Sequence, residues 1–133
     1  MITRDIVALE KLGVFNCRLM IVCGDSDYVK DKMVELGFKR ESFEKIHFGF
    51  KTPETEDYNA YCCAVGHTVL IQMSREIEKK KIVDILSHEV HHAVKIIGNL
   101  IDTKQCDETE EVFAYTTGWL CQFVYDQIID YID

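Results

Sequence analysis

The sequence predicts an α+β domain: a short mixed sheet with a hairpin, packed on one amphipathic helix, followed by a long C-terminal helix. Three observations carry this. Cys17–Cys23 is a nearly continuous apolar run of strand length. Tyr61 to Val65 and Thr68 to Met73 are two strand-like runs joined at Gly66-His67, the signature of a hairpin. Ile77 to Ile97 has apolar residues at three- and four-residue intervals, the period of a half-buried helix.

In chain order, Thr3 is expected to cap a short helix ending at Leu12 before Gly13. After the strand over Cys17–Cys23, Gly24-Asp25-Ser26-Asp27 supplies a turn and an N-cap. A helix over about Tyr28 to Leu36 follows, stopped by Gly37. Ser42 is expected to start one helical turn, with Phe43, Ile46, Phe48 and Phe50 packing on the core. Lys51 to Asp57 is polar, carries the only proline, and reads as a loop. The second hairpin strand is expected to run straight into the helix over Ile77 to Ile97. The three lysines Lys79, Lys80 and Lys81 form a solvated face in its first turns. A polar connection from Asp102 to Asp107 leads to a helix over about Glu108 to Tyr131. That helix carries apolar residues nearly all round, so it is expected to be mostly buried.

At 133 residues, the chain is read as one domain over 1–133, long enough for a modest core. A net charge of −8 argues against nucleic acid and anionic membranes as main partners. No stretch approaches the ~20 apolar residues of a membrane span. The first residues lack a basic start followed by an apolar run, so a cytoplasmic protein with reduced thiols is expected. None of the six cysteines forms a Cys-x-x-Cys pair, which disfavours a zinc ribbon. Five lie in apolar runs as small core residues, and Cys106 sits in a polar loop where it is exposed.

The chemistry is concentrated in Ser87-His88-Glu89-Val90-His91-His92-Ala93. Residues four apart share a helix face, so His88 and His92 can point at one ion. Zinc suits two neutral imidazoles plus a carboxylate, with a fourth position left to water. Glu89 follows the first histidine directly, where a general base for that water is needed. A shuffled chain of this composition shows the pattern roughly 1–2% of the time, so context matters. Ile82, Ile85, Leu86, Val90, Ala93, Ile96 and Ile97 form the apolar stripe; Asp84, Ser87, His91 and Lys95 form the polar face. The two histidines fall on the border. Glu89 falls inside the apolar arc, which is costly for a carboxylate without a partner or a task. His91 reads as solvated, and His67 as an exposed turn residue.

Two histidines do not complete a zinc site. No histidine follows His92, so the third ligand must come from elsewhere; Asp102, Asp107, Glu108, Glu110 and Glu111 are the downstream carboxylates. His88-Glu89-x-x-His92 followed by Glu111-Val112-Phe113-Ala114-Tyr115 resembles the gluzincin metallopeptidases, whose third ligand is a glutamate on the next helix. Glu111-x-x-Ala114-Tyr115-x-x-Gly118-Trp119 more narrowly resembles small single-domain HExxH proteins carried by phages and prophages. The resemblance spans about Thr68 to Phe123. It implies a zincin-like fold and a zinc-dependent peptidase acting on a peptide or protein substrate. It also implies a sheet edge beside the motif helix, for which Thr68 to Met73 is the expected strand, antiparallel to bound peptide. Zn2+ would be held by His88, His92 and Glu111, with Glu89 as base.

Many gluzincins carry an aspartate where this chain has Tyr115. Tyr115 then either orients a ligand histidine or stabilises an oxyanion through its hydroxyl, or is an ordinary buried tyrosine. Asp84 is an alternative acceptor for His88, and Asp107 an alternative supporting partner near Glu111. Glu111 is preferred over Glu110 because it shares a face with Tyr115, Gly118 and Gln122, and a helical glycine suggests close approach to another helix. Two further readings stand beside the peptidase. One is a catalytically silent zinc-binding domain acting as a partner-recognition or regulatory module. The other is a helical regulator in which the motif arose by chance, which a buried Glu89 would disfavour.

Overall fold

The structure, a computed structural model, describes residues 1–46 and 60–133. Four strands form one mixed sheet: β1 (Ile6–Leu12), β2 (Cys17–Cys23), β3 (Ala60–Val65) and β4 (Thr68–Met73), in the spatial order β1-β2-β4-β3. Two antiparallel hairpins, β1-β2 and β3-β4, meet along a parallel β2·β4 seam. Helix α1 (Ser26–Glu35) lies on one face. Helices α2 (Ile82–Leu100) and α3 (Glu110–Ile128) lie side by side on the other. This is the expected α+β class.

Alternation along the two central strands builds two cores. Leu19, Ile21, Cys23, Val69, Ile71 and Met73 face α2 and α3; Met20, Val22 and Leu70 face Val29 and Met33 of α1, with Phe38 and Phe43. Asp25 caps α1 as its spacing predicts: its Oδ1 accepts from the backbone N–H of Asp27 and Tyr28 at 3.0 and 3.2 Å. Gly37, at φ +96°, makes the chain reversal after α1 that a side chain would strain.

Several expectations need correction. The helix expected to end at Leu12 is strand β1. Its N-terminal cap residue Thr3 instead bonds the Tyr131 carbonyl through both its backbone N–H and its hydroxyl. The pairing of Ile6 with Cys23 through Leu12 with Cys17 supplies what local propensity could not indicate. Asn16, at φ 50°, and a 3-10 turn over Gly13–Phe15 close that hairpin. Ser42 ends a 3-10 turn over Arg40–Ser42 rather than starting one. Phe43 is buried and Ile46 packs against it in the α1-side core; Phe48, Phe50 and the loop expected over Lys51 to Asp57 lie outside the described residues.

Strand β4 does not run straight into the motif helix. Ser74 Oγ accepts from the Glu76 N–H at 3.2 Å, Ile77 is fully buried, and Lys79–Lys81 form a separate 3-10 turn before α2 begins. Nor does β4 lie at the sheet edge; it is flanked by β2 and β3, and the edge beside α2 belongs to β3. Helix α3 is not buried all round. Phe113, Leu120, Val124 and Ile128 form one inward stripe, while Val112, Tyr115 and Trp119 are exposed. The close helix approach falls at Gly98, not Gly118. A Cβ on Gly98 would meet the Thr103 carbonyl oxygen at 2.9 Å and the Phe113 ring at 3.4 Å, whereas one on Gly118 would meet nothing within 4 Å.

All six cysteines are free. Cys17 and Cys23 are buried, Cys62, Cys63 and Cys121 half-buried, and Cys106 exposed. Among the described residues no helix is long and apolar enough to cross a membrane.

Candidate functional site: a histidine pair over a buried glutamate

Helix geometry builds the site. At about 100° per residue, His88, His92, Lys95 and Asn99 fall on one narrow stripe of α2, and Glu89 and Ile96 lie about a quarter turn deeper. Opposite them runs the edge strand β3. Together, Ala60, Tyr61 and Cys62 of β3 and this side of α2 enclose an open cavity of about 680 Å3. That volume sits in the range of small-molecule sites, roughly 300–1,000 Å3, so a chain this short still forms a usable cleft.

The two imidazoles converge. Their Nε2 atoms are 3.1 Å apart and the rings meet edge to face with centroids 4.7 Å apart. Two nitrogens each 2.0–2.1 Å from a tetrahedral zinc ion lie about 3.3 Å apart, so the pair fits a shared cation. Both histidines are exposed on the cavity side, and their 3.1 Å separation is also that of a hydrogen bond from one ring to the other. Beneath them Glu89 is only 5% exposed, and its Oε2 has no hydrogen-bond partner. Burial pushes its carboxyl above the ordinary glutamate range, and the neighbouring His88 opposes that shift. Cys62 lies close to Glu89: its thiol is raised by burial first, then by the Glu89 carboxylate and Cys63. Burial also pushes the Tyr61 phenol up to about 12, helped by its hydrogen bond to Cys63.

The remaining expected residues lie elsewhere. Glu111 is exposed in the first turn of α3 and does not line the cavity. Among the described residues no three His, Cys, Asp or Glu side chains come together as a metal-holding group. Tyr115 is 76% exposed and lines a different cavity, with Leu12 and Phe15 near the end of β1 and Trp119 of α3. It is therefore not a buried tyrosine. Asp84, His91 and Asp107 are exposed, and His67 is exposed in its turn as expected.

Four cavity residues were not singled out by sequence. Lys95 and Asn99 had a signal available, since they sit three and seven residues beyond His92 on the same face. Tyr61 and Cys62 had none, because only the β3–β4 register and the packing of β3 on α2 bring them there. Comparison with known proteins returns no match: no family model, no characterised protein and no solved structure is significantly similar to the chain.

Proposed function

We propose that the chain is a zinc-dependent peptidase of zincin-like form, in which His88 and His92 hold the ion and Glu89 moves the proton. One observation supports this most: a 95%-buried carboxylate with an unpartnered oxygen lies directly under two converging imidazoles in an open cavity. A buried carboxylate without a partner costs stability, and a site that uses it offsets that cost. Zinc held by the two histidines would supply Lewis acidity toward water and toward a peptide carbonyl. Glu89, with its raised pKa, accepts a proton from the attacking water and returns it to the departing amine as the C–N bond breaks. The imidazoles and the β3 edge confine the substrate between them. Glu111 as third ligand rests on the sequence pattern alone. Tyr115 is given no catalytic part, because it lines another cavity.

Metal analysis of the protein without a histidine tag tests the reading. Zinc near one equivalent is expected in the parent, and its loss in His88→Ala. Stoichiometric zinc in a His88→Ala, His92→Ala double variant would sink the assignment. Glu89→Gln is expected to keep the metal and lower peptide hydrolysis by roughly a hundredfold or more. Glu111→Gln loses the metal if the pattern holds, and Glu110→Gln keeps it.

A second reading, a silent zinc-binding recognition module, is favoured by the three large apolar side chains that α3 leaves exposed on one face, Val112, Tyr115 and Trp119. A parent that takes up zinc and hydrolyses no peptide in a library selects it.

A further inference from the structure

Nearly all of the protein's net charge sits on one helix and its flanks. Residues 105–133 hold seven acids and no lysine, arginine or histidine, whereas residues 1–104 hold sixteen acids and fifteen lysines and arginines. The same segment leaves an apolar face in solvent. At about 100° per residue, Val112, Tyr115, Trp119 and Phe123 fall within about 80° of one another on α3, turned away from the inward stripe of Phe113, Leu120, Val124 and Ile128. Val112, Tyr115 and Trp119 are exposed, and the Trp119 and Phe123 rings stack with centroids 5.7 Å apart. Glu111, exposed, lies one turn before Tyr115 on this face. Asp126, exposed at its other end, accepts from the neutral Gln122 amide at 2.8 Å. Among the described residues neither carboxylate has an ion-pair partner.

A cavity gives this face an anchor point. Tyr115, Thr116 and Trp119 meet Leu12, Gly13 and Phe15 at the turn between β1 and β2, around an open space of about 320 Å3. Lys11 is the one charged residue among those lining it, so it suits an apolar side chain rather than a basic one. These residues lie on the β1 side of the sheet, whereas Ile46 lies in the α1-side core and Ala60 on β3 at the other edge. We propose that the outer face of α3 docks a basic amphipathic helix of a partner protein. Apolar side chains of that helix cover Val112, Tyr115 and Trp119, one of them seated in the cavity, and its Lys or Arg residues meet Glu111 and Asp126. The rise from Glu111 to Asp126 is about 22 Å, so about four turns of a partner helix cover the face. A second copy would set two base-free acidic segments against each other, and an anionic membrane would meet the same repulsion. None of these α3 residues lines the histidine cavity, so the surface stands apart from the hydrolase reading.

Trp119 is the only tryptophan, so its emission reports on this face alone. Three tryptophan-free synthetic peptides of about 18 residues, five helical turns, serve as probes. One is built of leucine and lysine at helical spacing, one has glutamate for each lysine, and one has serine for each leucine. The leucine-lysine peptide is expected to shift the emission to shorter wavelength and to bind about tenfold or more tightly than either of the others. Tyr115→Ala, which keeps the reporter, weakens that binding about tenfold, as loss of an aromatic anchor does. Asp126→Lys weakens it severalfold, and Val83→Ser, at an exposed apolar position on α2, leaves it unchanged. Binding of the leucine-lysine peptide no tighter than of the other two, no binding at all, or unchanged affinity in Tyr115→Ala or Asp126→Lys overturns the docking site. So does dimerisation of the free protein in sedimentation that Tyr115→Ala abolishes, which assigns the face to a second copy. The same emission shift with phosphatidylcholine vesicles overturns it in favour of a membrane.

Discussion

Helices α2 and α3 are both nineteen residues long and share one face of the sheet, yet they bury different things. Helix α2 buries eight positions, one of them the charged Glu89, and its polar residues confine the apolar stripe. Helix α3 has apolar residues all round and buries only Phe113, Leu120, Val124 and Ile128. Two helices side by side on four strands each have one face to give the sheet. Surplus apolar residues on α3 therefore end in solvent, and apolar content alone overstates burial. The buried charge inside α2's stripe is costly where it lies, whereas the aromatics on α3 do not mark a core.

Substitutions can break or sharpen that contrast. The largest effect is expected inside α3's narrow buried stripe. Leu120→Ala should cost about 2–5 kcal/mol in chemical denaturation, as large-to-small core changes do. Tyr115→Ala, five residues away on the same helix, should stay within about 0.5 kcal/mol, as exposed positions do. Similar losses at both would mean that α3 is buried all round after all.

The two helical glycines give opposite signs. Gly98→Ala in α2 forces a Cβ against the Thr103 carbonyl oxygen and should destabilise by about 1–3 kcal/mol. Gly118→Ala in α3 enters open space and should stabilise by about 0.5–1 kcal/mol through helix propensity. Thermal melting of the two variants reads this directly; stabilisation by both would remove the close α2–α3 approach.

The smallest signal is a pH trend in the metal-free protein. Burial raises the Glu89 pKa above its ordinary 4.5. The folded state then holds that proton more tightly than the unfolded chain does. Stability contributed by the protonated carboxyl is fully present below the unfolded value and is lost as pH rises through the folded pKa. The stability advantage of Glu89→Gln over the parent should widen as pH rises above about 4.5, the ordinary glutamate value. A gap that narrows with rising pH would mean that Glu89 gains a partner when ionised.

What the sequence made legible follows the same divide. Spacing within one helix was enough to place His88, Glu89 and His92 side by side on α2, and Gly66-His67 was enough for the hairpin. Strand β1 was lost because Thr3 and Gly13 mimic helix ends, while its real partner is another segment. The interior position of β4 did have a signal. Thr68-Val69-Leu70-Ile71 are buried in succession, as in a strand covered on both faces. Glu111 and Tyr115 were linked to the site by pattern, but the rotation of α3 about its axis follows from Phe113 seating beside Gly98, which no local pattern shows.

Among the described residues the cavity is lined from one stretch, Ala60 to Asn99, whereas the parallel seam joins Arg18 to Thr68, positions fifty apart in sequence. Loop-closure entropy disfavours early formation of such distant contacts, while the β3–β4 hairpin and the helix after it need only short closures. The histidine pair and its carboxylate therefore belong to the part of the chain that can organise first, with the docking of the N-terminal hairpin as the slow, non-local event. The β3–β4 hairpin and α2 form one local unit, and the N-terminal hairpin docks against it along the parallel seam of β2 and β4.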